Sequence, residues 1–217
     1  MNLKKLKKKL KNLPRQRKVN NHSVPLIVLG LGNPGPEYAG TRHNAGYMVI
    51  DALTEKPPLA FRKRFFSSYY YAYLPVPENC REIVLVRYTG YMNTSGNIIG
   101  SLFRRFNVSC EDLLVVVDNM DLPPGVCRLK KGGGSAGHNG IKSIISKTGS
   151  TGFYRLYIGV GRPDKSVDTV SHVLGKPEGH DEIAIKSACI KAAGAVKELS
   201  CTPFSRVMEK LNKRERK

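Results

Sequence analysis

The sequence predicts a single α/β domain in which a mostly parallel sheet is covered by helices on both faces. Short apolar runs at 26–31 and 113–117 lack polar alternation, so they read as strands buried on both sides. Segments with helical spacing lie between the strands, as a parallel sheet requires of its crossovers. With 217 residues, 41% of them hydrophobic, the chain can build one substantial core but not two full-sized domains.

Leu26 to Leu31 forms the first strand and runs into Gly30, Gly32, Asn33, Pro34 and Gly35, a tight loop at the strand's carboxyl end. Chemistry is usually placed there in an α/β sheet. Asn44 to Leu53 then has helical spacing, with Ala45, Met48, Val49 and Leu53 on one side. Phe65 to Leu74 is rich in aromatics, and its tyrosines read as a sheet face or as base-stacking groups. A turn at Pro75 to Asn79 precedes a strand at Glu82 to Arg87, and Tyr91 to Phe106 reads as a loop entering a helix. Leu113 to Val117 is a buried strand ending at Asp118, and Val126 to Lys130 is a short strand after a Pro-Pro-Gly turn. The glycines at 132–134 feed a helix over about 139–147, followed by a last strand at Phe153 to Val160. A polar connection with short helical content spans 161–180. The final helix, Glu182 to Leu199, is expected to bury Ile183, Ile185, Ile190, Ala193 and Val196.

Lysine and arginine total 36 against 17 acidic residues, a formal charge of +19, which favours a polyanionic partner. The excess sits at the ends: residues 1–24 hold nine basic and no acidic residues, and residues 206–217 hold six basic and two acidic. This divides the chain into a basic, flexible or weakly amphipathic extension at 1–24, an α/β domain at 25–200 and a basic tail at 201–217. No apolar run approaches the about 20 residues of a membrane span, so no membrane partner is expected. Cysteines at 80, 110, 127, 189 and 201 are odd in number and form no close pair, which predicts reduced, buried thiols in an intracellular protein.

The loop at 30–35 is not a dinucleotide fingerprint, because its glycines do not follow GxGxxG and Pro34 interrupts the helix start. No Gly-Lys-Ser/Thr follows the glycines at 132–134, so a Walker loop is absent as well. The histidines and cysteines lack finger-like spacing, and His138 has no ligand partner nearby in the sequence. His43, on the loop after the first strand between Arg42 and Asn44, and Asp118, at the end of a central strand, can in contrast converge at the carboxyl edge of the sheet. A neutral imidazole takes a proton from water, and a carboxylate on its other nitrogen fixes the tautomer. The same pattern fits a capping histidine and a loop-stabilising aspartate. Asn33, Asn93 and Asn139 adjoin turns, and their amides suit a peptide backbone or carbonyl as well as an Asx turn. The glycine run beside Arg128, Lys130 and Lys131 can bring N–H groups and positive charge to a phosphate.

The blocks GLGNPGPEYAGTRHNAG at 30–46, YMNTSG at 91–96, VVDNMDLPPG at 116–125 and KKGGGSAGHNGIKSII at 130–145 resemble the bacterial-type peptidyl-tRNA hydrolase family. YIGVGRP and HVLGKP follow in order, and the resemblance covers about residues 25 to 200. It implies a single α/β domain with a twisted mixed sheet and no metal or cofactor. The implied reaction is cleavage of the ester joining a peptide to the terminal ribose of tRNA, which recycles tRNA from abandoned translation. It implies His43 as the base supported by Asp118, and Asn33, Asn93 and Asn139 around the peptide and attacking water. Tyr38 and His138 would line the cleft, while Arg128, Lys130 and Arg155 would meet tRNA. Asn119, Ser135-Ala136, Tyr91 and Tyr157 depart from the family's usual glutamate, glycine, phenylalanine and arginine.

The family also includes relatives that act as RNA-binding splicing partners, so a catalytically silent RNA-binding or ribosome-associated protein is the alternative. An esterase for another substrate would need neither the basic excess nor these blocks. The arm adds rRNA or the ribosome as an expected partner. The expected location is the cytoplasm, with a mitochondrion or other organelle as the alternative.

Overall fold

The computed structural model describes residues 24–55, 58–63, 67–164 and 166–213. The basic extension at 1–24 lies outside these residues except for Val24, and so do Phe65 and Phe66. Six strands form one sheet in the order β2-β3-β1-β4-β6-β5: β1 (Leu26–Gly30), β2 (Tyr69–Leu74), β3 (Ile83–Tyr88), β4 (Leu113–Asn119), β5 (Cys127–Lys131) and β6 (Tyr154–Gly159). The central strands β3, β1, β4 and β6 are parallel, while β2 and β5 pair antiparallel at the two edges. The sheet is therefore mixed around a parallel centre.

Alternate residues of each central strand enter opposite cores. Leu26, Val28, Leu114 and Val116 meet α1 (Ala45–Thr54), α5 (Gly179–Glu198) and α6 (Phe204–Asn212) on one face. Ile27, Leu29, Val115 and Val117 meet α2 (Ile99–Phe106) and α3 (Asn139–Thr148) on the other. Each such aliphatic side chain, fully withdrawn from water, contributes about 1.5–3 kcal/mol before entropy is counted. The tyrosine strand is a sheet face, with Tyr69 and Tyr71 buried. The 161–180 connection contains α4 (Thr169–Leu174), capped by Asp168, whose carboxylate accepts the N–H groups of Val170 and Ser171.

Three expectations are corrected. The long helix α5 buries Ile185, Ala188, Cys189, Ala192, Ala193 and Val196, but leaves Ile183 71% and Ile190 68% exposed. Alanines carry the close packing there, so the bulkier isoleucines do not mark the inner face. Residues 204–212 of the segment expected as a basic tail form a packed helix. Val207 and Leu211 of α6 are buried, Phe204 stacks on Tyr154 at 3.6 Å, and Asn212 exchanges hydrogen bonds with the Leu129 backbone at 2.9 and 2.8 Å. Arg206 and Lys210 lie on the outer face of this amphipathic helix.

The third correction concerns the cysteines. Cys80 and Cys201, 121 residues apart, are joined in a disulfide between the β2–β3 connection and the α5–α6 junction. The Arg81 N–H donates to the Ser200 carbonyl at 2.7 Å, so folding brings the two segments together independently of the sulfurs. Wide spacing in sequence says nothing about spacing in the fold. Cys127 and Cys189 are thiols as expected, and burial pushes them up to about 11 and about 12. Reduction, or Cys201→Ser, is expected to cost about 2–4 kcal/mol because the unfolded chain loses a long closed loop. Thermal unfolding with and without a reductant checks this, and equal midpoints would contradict it.

Candidate active site

The site forms where the chain reverses direction along the sheet, at the carboxyl ends of β1 and β4. From β1 the sheet runs through β3 to one edge and through β4 to the other, which leaves a crevice at the switch point. Gly30 of β1 pairs with Val116, and the Leu31 N–H continues the ladder to the Val116 carbonyl at 2.9 Å. β4 runs on past this point, so Asp118 stands at the crevice floor.

His43 arrives on a 3-10 turn, Arg42–Asn44, that runs directly into α1. Two ties hold that turn. The Asn33 N–H donates to Asn44 Oδ1 at 2.8 Å and Asn44 Nδ2 donates to the Asn33 carbonyl at 3.0 Å, joining the β1 loop to the histidine turn. On the other side, Arg42 Nη1 donates to the carbonyls of His172, Gly175 and Lys176 at 3.2–3.4 Å, which anchors the turn to the end of α4. Neither Asn44 nor Arg42 is marked for this work by its place in the sequence. Only the burial of Asn44 and the folded position of α4 reveal their work.

His43 Nδ1 lies 2.9 Å from Asp118 Oδ1, so the two candidates meet. His43 Nε2 has no protein partner among the described residues. The same carboxylate oxygen also receives His138 Nε2 at 3.1 Å. Burial of Asp118 opposes its ionisation, but the His138 and His43 rings that face its carboxylate outweigh this and hold its carboxyl well below the usual range. His138 has no ligand partner nearby in the sequence but gains two in space: forming β4 and α3 brings the two histidines and the aspartate within 4.8 Å. Those three could in principle surround a metal. His138 Nε2 is set as a hydrogen-bond donor, however, since its Nδ1 already accepts two backbone N–H groups, and His43 Nδ1 faces an ionised carboxylate, which can only accept.

The other predicted residues divide into two groups. Asn33 Oδ1 accepts the Met92 N–H at 2.9 Å, so this side chain holds the 92–98 turn beside the site and keeps its own NH₂ for a ligand. Asn93 follows Met92, Asn139 follows His138, and both side-chain amides are exposed with no protein partner among the described residues. Tyr38 packs edge-on against Tyr91 at 6.5 Å. Arg128, Lys130 and Lys131 are exposed on β5. A cavity of about 430 Å³ beyond the end of β4 is lined by Asn119, Asp121, Arg128, Lys130, Gly133, Gly134, Arg155 and Tyr157, three cations against one carboxylate. A second cavity, of about 580 Å³, reaches Asn33 and Asn44 from the β2–β3 side.

Arg155 is corrected. It was expected to meet RNA, but it is 0% exposed and donates to the carbonyls of Gly133 and Gly134 and, at 3.3 Å, to the Tyr157 hydroxyl. On β6 its side chain turns under the glycine loop, so it shapes the basic cavity from below. Ala136 of that loop adopts φ +46°, a left-handed conformation that favours glycine, at a position where the resemblance leads one to expect glycine.

An α/β sheet with a histidine–carboxylate pair at its switch point and a cationic cavity beside it defines a class: a hydrolytic enzyme whose substrate carries phosphates. The model of the peptidyl-tRNA hydrolase family matches residues 27–217, and the chain belongs to that family. Peptidyl-tRNA hydrolysis is its activity. It is 40% identical over 173 residues to the peptidyl-tRNA hydrolase of Dehalococcoides mccartyi, covering 78% of this chain and 90% of that protein. With the Bacillus subtilis peptidyl-tRNA hydrolase it shares 37% identity over 187 residues, 86% of this chain and 98% of the relative. The crystal structure of the Acinetobacter baumannii peptidyl-tRNA hydrolase superposes with a TM-score of 0.79 at 32% identity, covering 89% of this chain and 97% of that one.

Proposed function

We propose that His43 is the general base of this hydrolysis and that the β5 cations hold the tRNA. The carrying observation is the 2.9 Å contact between His43 Nδ1 and Asp118, which leaves Nε2 free at a crevice edged by unpartnered amides. Nε2 takes a proton from water, whose oxygen attacks the ester carbonyl. The tetrahedral oxyanion is stabilised by a donor such as Asn139 or Asn93. Collapse breaks the bond to the ribose oxygen, which takes the proton from His43 and leaves as the tRNA hydroxyl, while the peptide leaves as a carboxylic acid. Asp118 stabilises the imidazolium throughout. Amide contacts suit a peptide backbone and accept many side chains. The intact pair favours this reading over a silent RNA-binding protein.

Arg128, Lys130 and Lys131 stand on one exposed strand beside the basic cavity, which supports contacts to tRNA phosphates. The nine cations at 1–24 support an additional contact to tRNA or ribosomal RNA. The substrate supports a cytoplasmic location, or an organelle with its own translation. Wild type should hydrolyse N-blocked aminoacyl-tRNA and bind uncharged tRNA with steep salt dependence. Arg128→Ala or Lys130→Ala should each reduce the salt slope by about one, and removal of residues 1–22 should flatten it further. Unchanged slopes would remove these residues from the interface, and binding without hydrolysis by wild type would return the chain to the silent class.

A further inference from the structure

His138 lies in the catalytic crevice, yet all of its hydrogen-bonding capacity is used by the protein. It is the N-cap of α3, and its Nδ1 accepts the N–H groups of Gly140 at 3.1 Å and Ile141 at 3.3 Å. A backbone N–H can only donate, so Nδ1 presents its lone pair and the ring hydrogen sits on Nε2. Nε2 faces Asp118 Oδ1 at 3.1 Å, the same oxygen that receives His43 Nδ1 at 2.9 Å. The two rings lie 4.8 Å apart, tilted by 45°, with side-chain exposures of 15% for His43 and 11% for His138.

The two imidazoles share one carboxylate oxygen but differ in what surrounds their other nitrogen. Protonating His138 would put a hydrogen on Nδ1, against two N–H groups at the positive end of a ten-residue helix. Protonating His43 adds the hydrogen at Nε2, where no protein donor stands among the described residues. The helix cap thus decides which histidine can act as a base. The His138 N–H also competes with His43 for Oδ1, so the carboxylate holds His43 less tightly than it would alone.

We propose that His138 is a positioning residue: capped into a single tautomer by α3, it fixes the Asp118 carboxylate and tempers that carboxylate's pull on His43. The charged and titratable groups facing His43 are Asp118 from β4 and His138 at the head of α3. Arg42 turns away to the α4 carbonyls, and Asp121 is paired with Arg162. The inference rests on His43 being the base.

Two substitutions separate capping from the carboxylate contact. In His138→Asn, Oδ1 replaces Nδ1 as a cap acceptor, but nothing reaches Asp118. In His138→Gln, an amide N–H reaches as far as Nε2 while the cap is lost. For N-blocked aminoacyl-tRNA, His138→Asn should move the acid limb of the pH–rate profile to higher pH by about half a unit or more. It should lower kcat on the order of tenfold, with KM within about twofold and a thermal midpoint near that of wild type. His138→Gln should return the limb to its wild-type position while lowering the midpoint. An unmoved limb in His138→Asn, or an effect confined to KM, overturns the proposal.

Nitrogen NMR of the wild type is the companion measurement and needs no variant to fold. The His138 ring hydrogen should be found on Nε2, and a hydrogen on Nδ1 would refute the assignment. Full activity of His43→Ala would instead overturn the base assignment on which the inference stands.

Discussion

His43→Ala should lower kcat/KM for N-blocked aminoacyl-tRNA by about 10²–10⁴ while binding of uncharged tRNA stays at the wild-type level. The size follows from the ring's position. His43 is the group in the crevice with a nitrogen free toward water and a carboxylate on the other side, 2.9 Å away. Its removal leaves the amides to which the proposed mechanism gives the ester and the oxyanion, so some catalysis should survive. The β5 cations are untouched, so affinity for the RNA is unaffected. Asp118→Asn should approach the same loss, because an amide NH₂ facing the ring favours the wrong tautomer. Single-turnover rates and tRNA binding, measured on the same preparations, separate these effects. Near-normal hydrolysis by His43→Ala would overturn the mechanism, and lost binding would mean that the substitution disturbs more than the base.

Gly46→Ala should destabilise the fold by about 2–4 kcal/mol and reduce activity at the same time. A Cβ at this position would lie 2.4 Å from the Leu31 nitrogen and the Val116 carbonyl oxygen, and 2.5 Å from the Leu31 oxygen. All three atoms are backbone, in or beside the β1–β4 ladder, so no rotamer change can relieve the overlap. The helix α1 must move outward, and the His43 turn leads directly into it. A displacement of about 1 Å between base and carboxylate is enough to cost on the order of 100-fold in rate. Gly194→Ala in α5 is the control: nothing lies within 4 Å of its added Cβ, and this helix interior should gain up to about 1 kcal/mol. Denaturant unfolding of both variants checks the prediction. Wild-type stability of Gly46→Ala would show that α1 and the sheet are not locked together as described.

The sequence was most legible where backbone preference is local. Apolar runs in β1 and β4 have no polar alternation because both faces of the sheet are covered, so burial on two sides is written in the residues themselves. Helical spacing in α1 and α3, and the glycines that end β1, were visible for the same reason. Legibility failed where a residue's role depends on a distant partner. Ile183 and Ile190 belong to a helical pattern, but which side of α5 faces inward was decided by alanines packing against α1.

By itself, then, the sequence determined the α/β class, the order of the parallel strands' runs and turns, the family, and the residue types available for base chemistry and phosphate contact. Only the tertiary structure decided that His43 and Asp118 touch, that His138 joins them as a helix cap, and that Arg155 turns under the glycine loop. It also decided that Cys80 meets Cys201 across 121 residues. Periodicity and turn chemistry act over a few residues, where the chain's own geometry sets the answer. Contacts between remote segments, and the direction in which a charged side chain points, follow from strand register and helix packing, which no short stretch of sequence contains.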